Sequence, residues 1–364
     1  MDHQDDAPPA DRLRRGLLHS AALSGVGLAG LASSAALLGG GRAEAAGAGP
    51  FPTHPRWRFV FVNHVTTNPF FTPAQYGIHD ATELLGCSYQ WTGSATADVS
   101  EMVNAMNSAI AAKASAIGVC IVDPKAFEGP IEKALAAGIP VFAYNADAPA
   151  GSGSKRLAYI GQDLFQAGVL LGERIVSLID SGTVAMFIAT PGQLNIQPRL
   201  DGAASVIKKS GKKIDIDVVA TGATVNEELS KIKSYYLGHQ HVKGMFAVDA
   251  GSTQGIAETM DQYGLAAKGV HGGGFDLLPR TLELIQKGAL DFTIDQQAYL
   301  QGFYTCMEMF TFLASGGLTG PADINTGLKF VTRDNVKPYL STSTRYEGKS
   351  ATAQIVPLTG AIGG

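Results

Sequence analysis

From position 58 onward the chain repeats one pattern: a short unbroken apolar run, a polar loop, then three to four turns with apolar residues at every third or fourth position. Unbroken runs mark strands covered on both faces, and their alternation with amphipathic stretches predicts parallel sheets wrapped by helices. Strands are expected at 58–63, 88–91, 116–122 and 139–144, and then at 157–161, 184–189, 214–220, 244–248, 270–275 and 292–294. Helix boundaries are also written locally. Thr72 and Pro73 read as N-cap and first helical residue, Ala74, Ile78, Ala81 and Leu85 share one face, and Gly86 ends the turn. Asp98 with Glu101 reads as a capping pair for a helix that places Val99, Met102, Val103, Met106 and Ile110 at core spacing. The fold class predicted is α/β, with two doubly wound lobes.

The first segment breaks the pattern. Arg14-Arg15 precede Gly16-Leu17-Leu18, no charge occurs from Gly16 to Gly41, and Ala43-Glu44-Ala45 follows. This resembles a twin-arginine export signal over residues 1–45, cut before Ala46; an uncleaved membrane anchor is the alternative. Gly25-Val26-Gly27-Leu28-Ala29-Gly30 fits the dinucleotide spacing but has no strand before it and no acidic ribose partner after it.

The chain has 364 residues, 45% of them hydrophobic, enough for more than one core. Its 28 Lys+Arg against 32 Asp+Glu, a formal net charge of −4, leave no basic excess for a nucleic-acid backbone. Cys87, Cys120 and Cys306 allow one disulfide at most and show no metal-site spacing. His239-Gln240-His241 lacks acidic or cysteine companions and reads as surface.

In doubly wound sheets a ligand lies beyond the carboxyl ends of the strands. The residues just past those ends are His64 with Asn68-Pro69-Phe70-Phe71, then Asp123, Asn145, Thr190, Asp249, Asp276 and Asp295-Gln296. Acceptors dominate, with aromatic rings beside them, which suits a compact polyhydroxylated ligand whose hydroxyls donate and whose C–H face stacks. Any one Asp or Asn could equally be a helix N-cap. Trp91, at the end of its strand, is a further stacking candidate against a packing role.

With these residues in place, the chain from about Arg58 to Thr332 resembles the ribose-type periplasmic sugar-binding proteins, the substrate-binding components of ABC importers with a type I binding-protein fold. The resemblance is carried by Asn68-Pro69-Phe70-Phe71, Gly138-Ile139-Pro140-Val141, Tyr159-Ile160-Gly161-Gln162-Asp163, Arg199-Leu200-Asp201-Gly202, Gly274-Phe275-Asp276 and Thr293-Ile294-Asp295-Gln296, in order. It implies two lobes joined by three crossings, residues 52–155 with 296–323 and residues 156–295 with 324–364, closing on a ligand. It further implies that Asn68, Phe70 and Phe71 bind from one lobe, that Arg199 donates a forked pair of hydrogen bonds, that Asp276 accepts and that Gln296 sits at a crossing. Asp249 stands where the ribose binder has Asn, Asn145-Ala146 replaces an Asp-Arg pair, and Thr224 falls where an aromatic would cover the ligand. Those departures point away from ribose toward another pentose, a hexose or an acyclic polyol.

The expected ligand-binding set is therefore His64, Asn68, Phe70, Phe71, Trp91, Asn145, Arg199, Asp249, Asp276 and Gln296. The expected partners are a sugar or polyol and an ABC permease. A monomer is expected, with no cofactor, metal, nucleic acid or catalysis. Three rivals remain. A receptor presenting sugar to a chemotaxis or signalling protein would share this site. A hydrolase would use His271-Gly272-Gly273-Gly274 as an oxyanion loop, but no Gly-x-Ser-x-Gly elbow accompanies it. A sugar-responsive repressor would need a helix-turn-helix where the export signal stands.

Overall fold

The computed structural model describes residues 53–341, apart from 319 and 322. The expected signal over 1–45 and the end of the tail lie outside the described residues. In chain order the strands are β1 (Arg58–Asn63), β2 (Ser88–Gly93), β3 (Ala116–Val119), β4 (Val141–Tyr144), β5 (Tyr159–Gly161) and β6 (Ser181–Ile188). They continue as β7 (Lys213–Ala220), β8 (Gly244–Ala247), β9 (His271–Phe275), β10 (Phe292–Asp295), β11 (Asp323–Asn325) and β12 (Lys329–Thr332). The helices are α1 (Thr72–Leu84), α2 (Val99–Ala111), α3 (Pro124–Ala136), α4 (Leu164–Leu178) and α5 (Gln197–Lys209), then α6 (Val225–Gly238), α7 (Ala250–Tyr263), α8 (Pro279–Lys287) and α9 (Ala298–Ala314).

These elements form two six-stranded sheets, ordered β11-β5-β4-β3-β1-β2 and β12-β10-β9-β8-β6-β7. Every pairing is parallel except β10 with β12. Both sheets thus share one doubly wound order, and in each the winding reverses at the strand that opens it, β1 or β6. That reversal opens a crevice at the carboxyl ends. The central strands are apolar because helices cover both faces: β3, β4, β8 and β10 are buried at every position.

The chain passes between the sheets after β5, after β10 and after β11. The boundary expected at 155 falls short, because Tyr159–Gly161 pairs with β4 and β11 in the first sheet before the chain leaves it. The boundary expected at 323 likewise cuts through β11. Both strands are only three residues long, too short for periodicity to assign them to a sheet; only their pairing does.

Other local expectations change too. Thr72 does not cap α1. Asn68 caps a preceding 3-10 turn over Pro69–Phe71, accepting from the Phe70 amide at 3.0 Å, and that turn runs straight into the helix. Asp98 caps α2 as expected, while Glu101 accepts from Ser94 Oγ at 2.6 Å instead of returning to the cap. The glycines of His271-Gly272-Gly273-Gly274 lie inside β9, a central strand, and form neither a loop nor a turn. A Cβ on Gly272, Gly273 or Gly274 would fall 2.2–2.4 Å from Met260, Phe292 or Thr253. They are there for room.

Candidate functional site

One cavity, partly open to solvent, collects residues from the carboxyl ends of both sheets. From the first sheet come His64, Asn68, Phe70 and Phe71 after β1 and Asn145 after β4; from the second come Thr190 after β6, Asp249 after β8, Asp276 after β9 and Gln296 after β10. Nine of the ten expected residues therefore line a single space. Trp91 does not. Its ring stacks at a tilt 5.6 Å behind Phe71 and its Nε1 donates to the Thr66 carbonyl at 3.2 Å. It is a backing residue because β2 is the edge strand next to β1, one step removed from the crevice. Asp123 is spent as the N-cap of α3, accepting from the amides of Lys125 and Ala126, and Thr224 is spent in the capping box of α6 with Glu227.

Arg199 is the cation of the site and is 2% exposed. It sits in the first turn of α5, where the helix dipole disfavours positive charge. Its surroundings compensate. Nη1 donates to the Val248 carbonyl and Nη2 to Gln162 Oε1, each at 3.0 Å, and the guanidinium lies 4.1 Å over the Phe275 ring. The backbone is held by close helix packing, since a Cβ on Gly168 of α4 would meet the Arg199 carbonyl at 2.1 Å. The forked pair expected for a ligand is thus largely engaged by protein, and Nε is the nitrogen left without a partner.

The acids differ in their support. Asp249 caps α7: Oδ1 accepts from Ser252 N and Oδ2 from Ala189 N, both at 2.9 Å. Asp276 accepts from Gln296 Nε2 at 2.7 Å, and burial pushes its carboxyl up to about 7 in spite of Arg199. His64 is moved the other way, to about 3, by burial and then by Arg199, so its ring is neutral. Asn195 Nδ2 donates to His64 Nε2 at 3.0 Å, and on that hydrogen bond the ring proton is assigned to Nδ1.

Two polar lining residues escape a scan of strand ends. Asn195 stands on the loop between β6 and α5, and Glu228 on α6. Glu228 was legible in another way: it takes the first place in the stripe Glu228, Ile232, Tyr236, the buried face of α6. A carboxyl on a core stripe is a signal in itself.

Four buried atoms of the lining have no hydrogen-bond partner: His64 Nδ1, Asn195 Oδ1, Arg199 Nε and Glu228 Oε2. Such orphans are costly in a folded core, so their gathering around one space marks where a polar ligand would supply what is missing. Both donors and an acceptor are among them, next to the aromatic faces of Phe70 and Phe71. With a neutral imidazole and one guanidinium against partly protonated acids, the site suits an uncharged, hydroxyl-rich molecule better than an anion. Among the described residues no group of three or more His, Cys, Asp or Glu is placed to hold a metal ion, and all three cysteines are buried free thiols.

The chain is also similar to known proteins. The chain is 53% identical over 314 residues, 83% of its length and 77% of the relative's, to the xylose/arabinose-binding protein XylF of Sulfolobus acidocaldarius. Among solved structures it is similar to an ABC transporter solute-binding protein from Burkholderia graminis in complex with D-arabinose, at 25% identity and a TM-score of 0.72, covering 79% of this chain and 99% of that one. It is also similar to an arabinose-binding protein from Geobacillus stearothermophilus, at 29% identity and a TM-score of 0.61, covering 78% and 99%. The profile of the periplasmic binding protein domain matches residues 59–317, and with its two doubly wound sheets around one cleft the chain belongs to the periplasmic binding protein family, in the type I fold.

Proposed function

We propose that this protein is the extracytoplasmic sugar-binding component of an ABC importer and that its ligand is a pentose of the xylose or arabinose type. The observation that carries the reading is the set of four unpartnered polar atoms around the cleft, contributed by both sheets. The relative named for xylose and arabinose supports the choice of pentose. Asn68, Phe70, Phe71 and Asn145 hold the sugar from one side, and Arg199, Asp249, Asp276 and Gln296 from the other, with the rings of Phe70 and Phe71 against its C–H face. His64 and Asn195 join the lobes over it.

No bond is made or broken in this reading. The protein binds, closes and presents the loaded form to a membrane permease as a monomer, after export under the twin-arginine-type signal at its N-terminus. Closure is favoured because the bridged state adds contacts that the open state lacks. Sugar alcohols share the hydroxyl pattern and are secondary ligands. Thermal-shift and calorimetric titrations with D-xylose, L-arabinose, D-ribose, D-glucose, myo-inositol and xylitol test this. A rise in Tm with saturable heats for D-xylose or L-arabinose is expected; a panel that leaves the melting curve unmoved rejects it.

A further inference from the structure

Glu228 is 2% exposed and lines the cavity, and its Oε2 has no hydrogen-bond partner. The start of α6 is secured by the preceding residue, since Glu227 completes the capping box with Thr224, accepting from Thr224 N at 3.1 Å and Thr224 Oγ1 at 2.9 Å. Glu228 is therefore not needed to begin that helix. The facing helix makes room for it, because a Cβ on Gly251 would lie 1.3 Å from Glu228 Oε2. Gly251 is the second residue of α7, and its lack of a side chain admits this carboxyl to the cavity wall.

We propose that Glu228 is a ligand-recognising residue of this site, whose carboxylic acid both donates to and accepts from one sugar hydroxyl on the α6 side of the cleft. The inference rests on the sugar-binding reading above and adds to it the group that reads a particular hydroxyl. The protonation state fits the role. Burial first, then the negative charges of Asp249 and Glu227, push the Glu228 carboxyl far above the carboxylate range. Between Glu228 and Asp249 the proton belongs on Glu228, because Asp249 alone receives two backbone amides and the field of Arg199. A neutral acid can offer a hydrogen and a lone pair together, which is what a hydroxyl requires. The neighbouring wall of Ala223, Ala250 and Gly251 carries no side-chain polar group that could do so.

The test is a titration of wild type, Glu228→Gln, Glu228→Ala and Gly251→Ala with D-xylose, L-arabinose and their monodeoxy analogues, each variant first checked by thermal melting. Glu228→Gln, which keeps a donor and an acceptor, should bind within about tenfold of wild type. Glu228→Ala should weaken the parent sugar by about tenfold to a hundredfold, and that loss should shrink toward none for the one deoxy analogue that lacks the contacted hydroxyl. Gly251→Ala, which displaces the carboxyl without removing it, should show the same hydroxyl dependence and serves if Glu228→Ala does not fold. Undiminished binding by Glu228→Ala and Gly251→Ala overturns the assignment. So does a loss that is equal for every analogue, which would mark a packing role. Failure of the wild type to bind any of these sugars would instead overturn the sugar-binding reading, and this inference with it.

Discussion

Asn145 and Asp276 occupy equivalent places in the two sheets, each just past the carboxyl end of the fourth strand in the winding, and both have left-handed backbones, with φ of 63° and 76°. Gln296 ties them together, its Nε2 donating to Asp276 Oδ1 at 2.7 Å and its Oε1 receiving Asn145 Nδ2 at a longer 3.5 Å. Gln301 closes the ring, donating to Gln296 Oε1 and accepting from Asn145 Nδ2. Non-glycine residues in this region of backbone space are held there by their surroundings, and such positions concentrate at functional sites. Here they turn both side chains toward the crossing that joins the sheets.

Removing Gln296 should therefore loosen both the fold and the site. Gln296→Ala leaves the buried Asp276 and Asn145 short of a partner, at about 1–3 kcal/mol of stability. Urea denaturation should show a lower midpoint with an unchanged m-value, and sugar affinity should fall in parallel. Unaltered affinity would mean that the crossing does not position the binding residues.

Arg199 is the one cation among the cavity residues, and its loss would take a positive charge away from Asp276 and Asp249. Arg199→Ala should weaken sugar binding by about 2–5 kcal/mol. Arg199→Lys should not restore it, since an ammonium cannot donate to Val248 and Gln162 at once and still present a planar Nε–H. Calorimetric titration decides; wild-type affinity in either variant would remove Arg199 from the binding set.

The pH dependence of stability carries opposite contributions from His64 and Asp276. His64 drops from an unfolded value near 6.5 to about 3 in the fold, so below pH 6.5 the unfolded chain binds a proton that the folded one does not, and stability falls as pH falls toward 3. Asp276 rises from 3.8 to about 7, so the folded chain holds the extra proton, and stability falls as pH rises from about 4 to 7. Arg199 acts on both, favouring the neutral ring and the ionised carboxylate. His64→Gln should remove the first contribution: relative to the variant, wild type should lose at most about 1.4 kcal/mol per pH unit between pH 6.5 and 3. Chemical denaturation of the two proteins across that range measures it, and parallel curves would contradict a buried neutral His64.

The two tryptophans should report binding unequally. Trp91 lies behind Phe71, whereas Trp57 packs with His54 and Phe310. Saturating D-xylose should change the emission of wild type and of Trp57→Phe and leave Trp91→Phe silent. A response that survives in Trp91→Phe would place the sugar elsewhere.

The alternation of apolar runs with amphipathic stretches fixed the fold class and nearly every element, because that pattern reflects burial on both faces of a parallel sheet, a constraint each residue feels locally. The acceptors at strand ends were legible for the same reason: a doubly wound sheet opens its crevice at the carboxyl ends of its strands, and Asn68, Asn145, Asp249, Asp276 and Gln296 line the cavity there. What the sequence could not state is how two such sheets meet. The short strands Tyr159–Gly161 and Asp323–Asn325 join the first sheet only through pairing across the chain. Asn195 meets His64 from a loop 131 residues away, and Glu228 reaches the cleft because Gly251 on another helix leaves it space. Trp91 and Phe71, both aromatic and both beside the site in sequence, are separated only by depth. Those outcomes depend on distances between segments far apart along the chain, which no local pattern encodes.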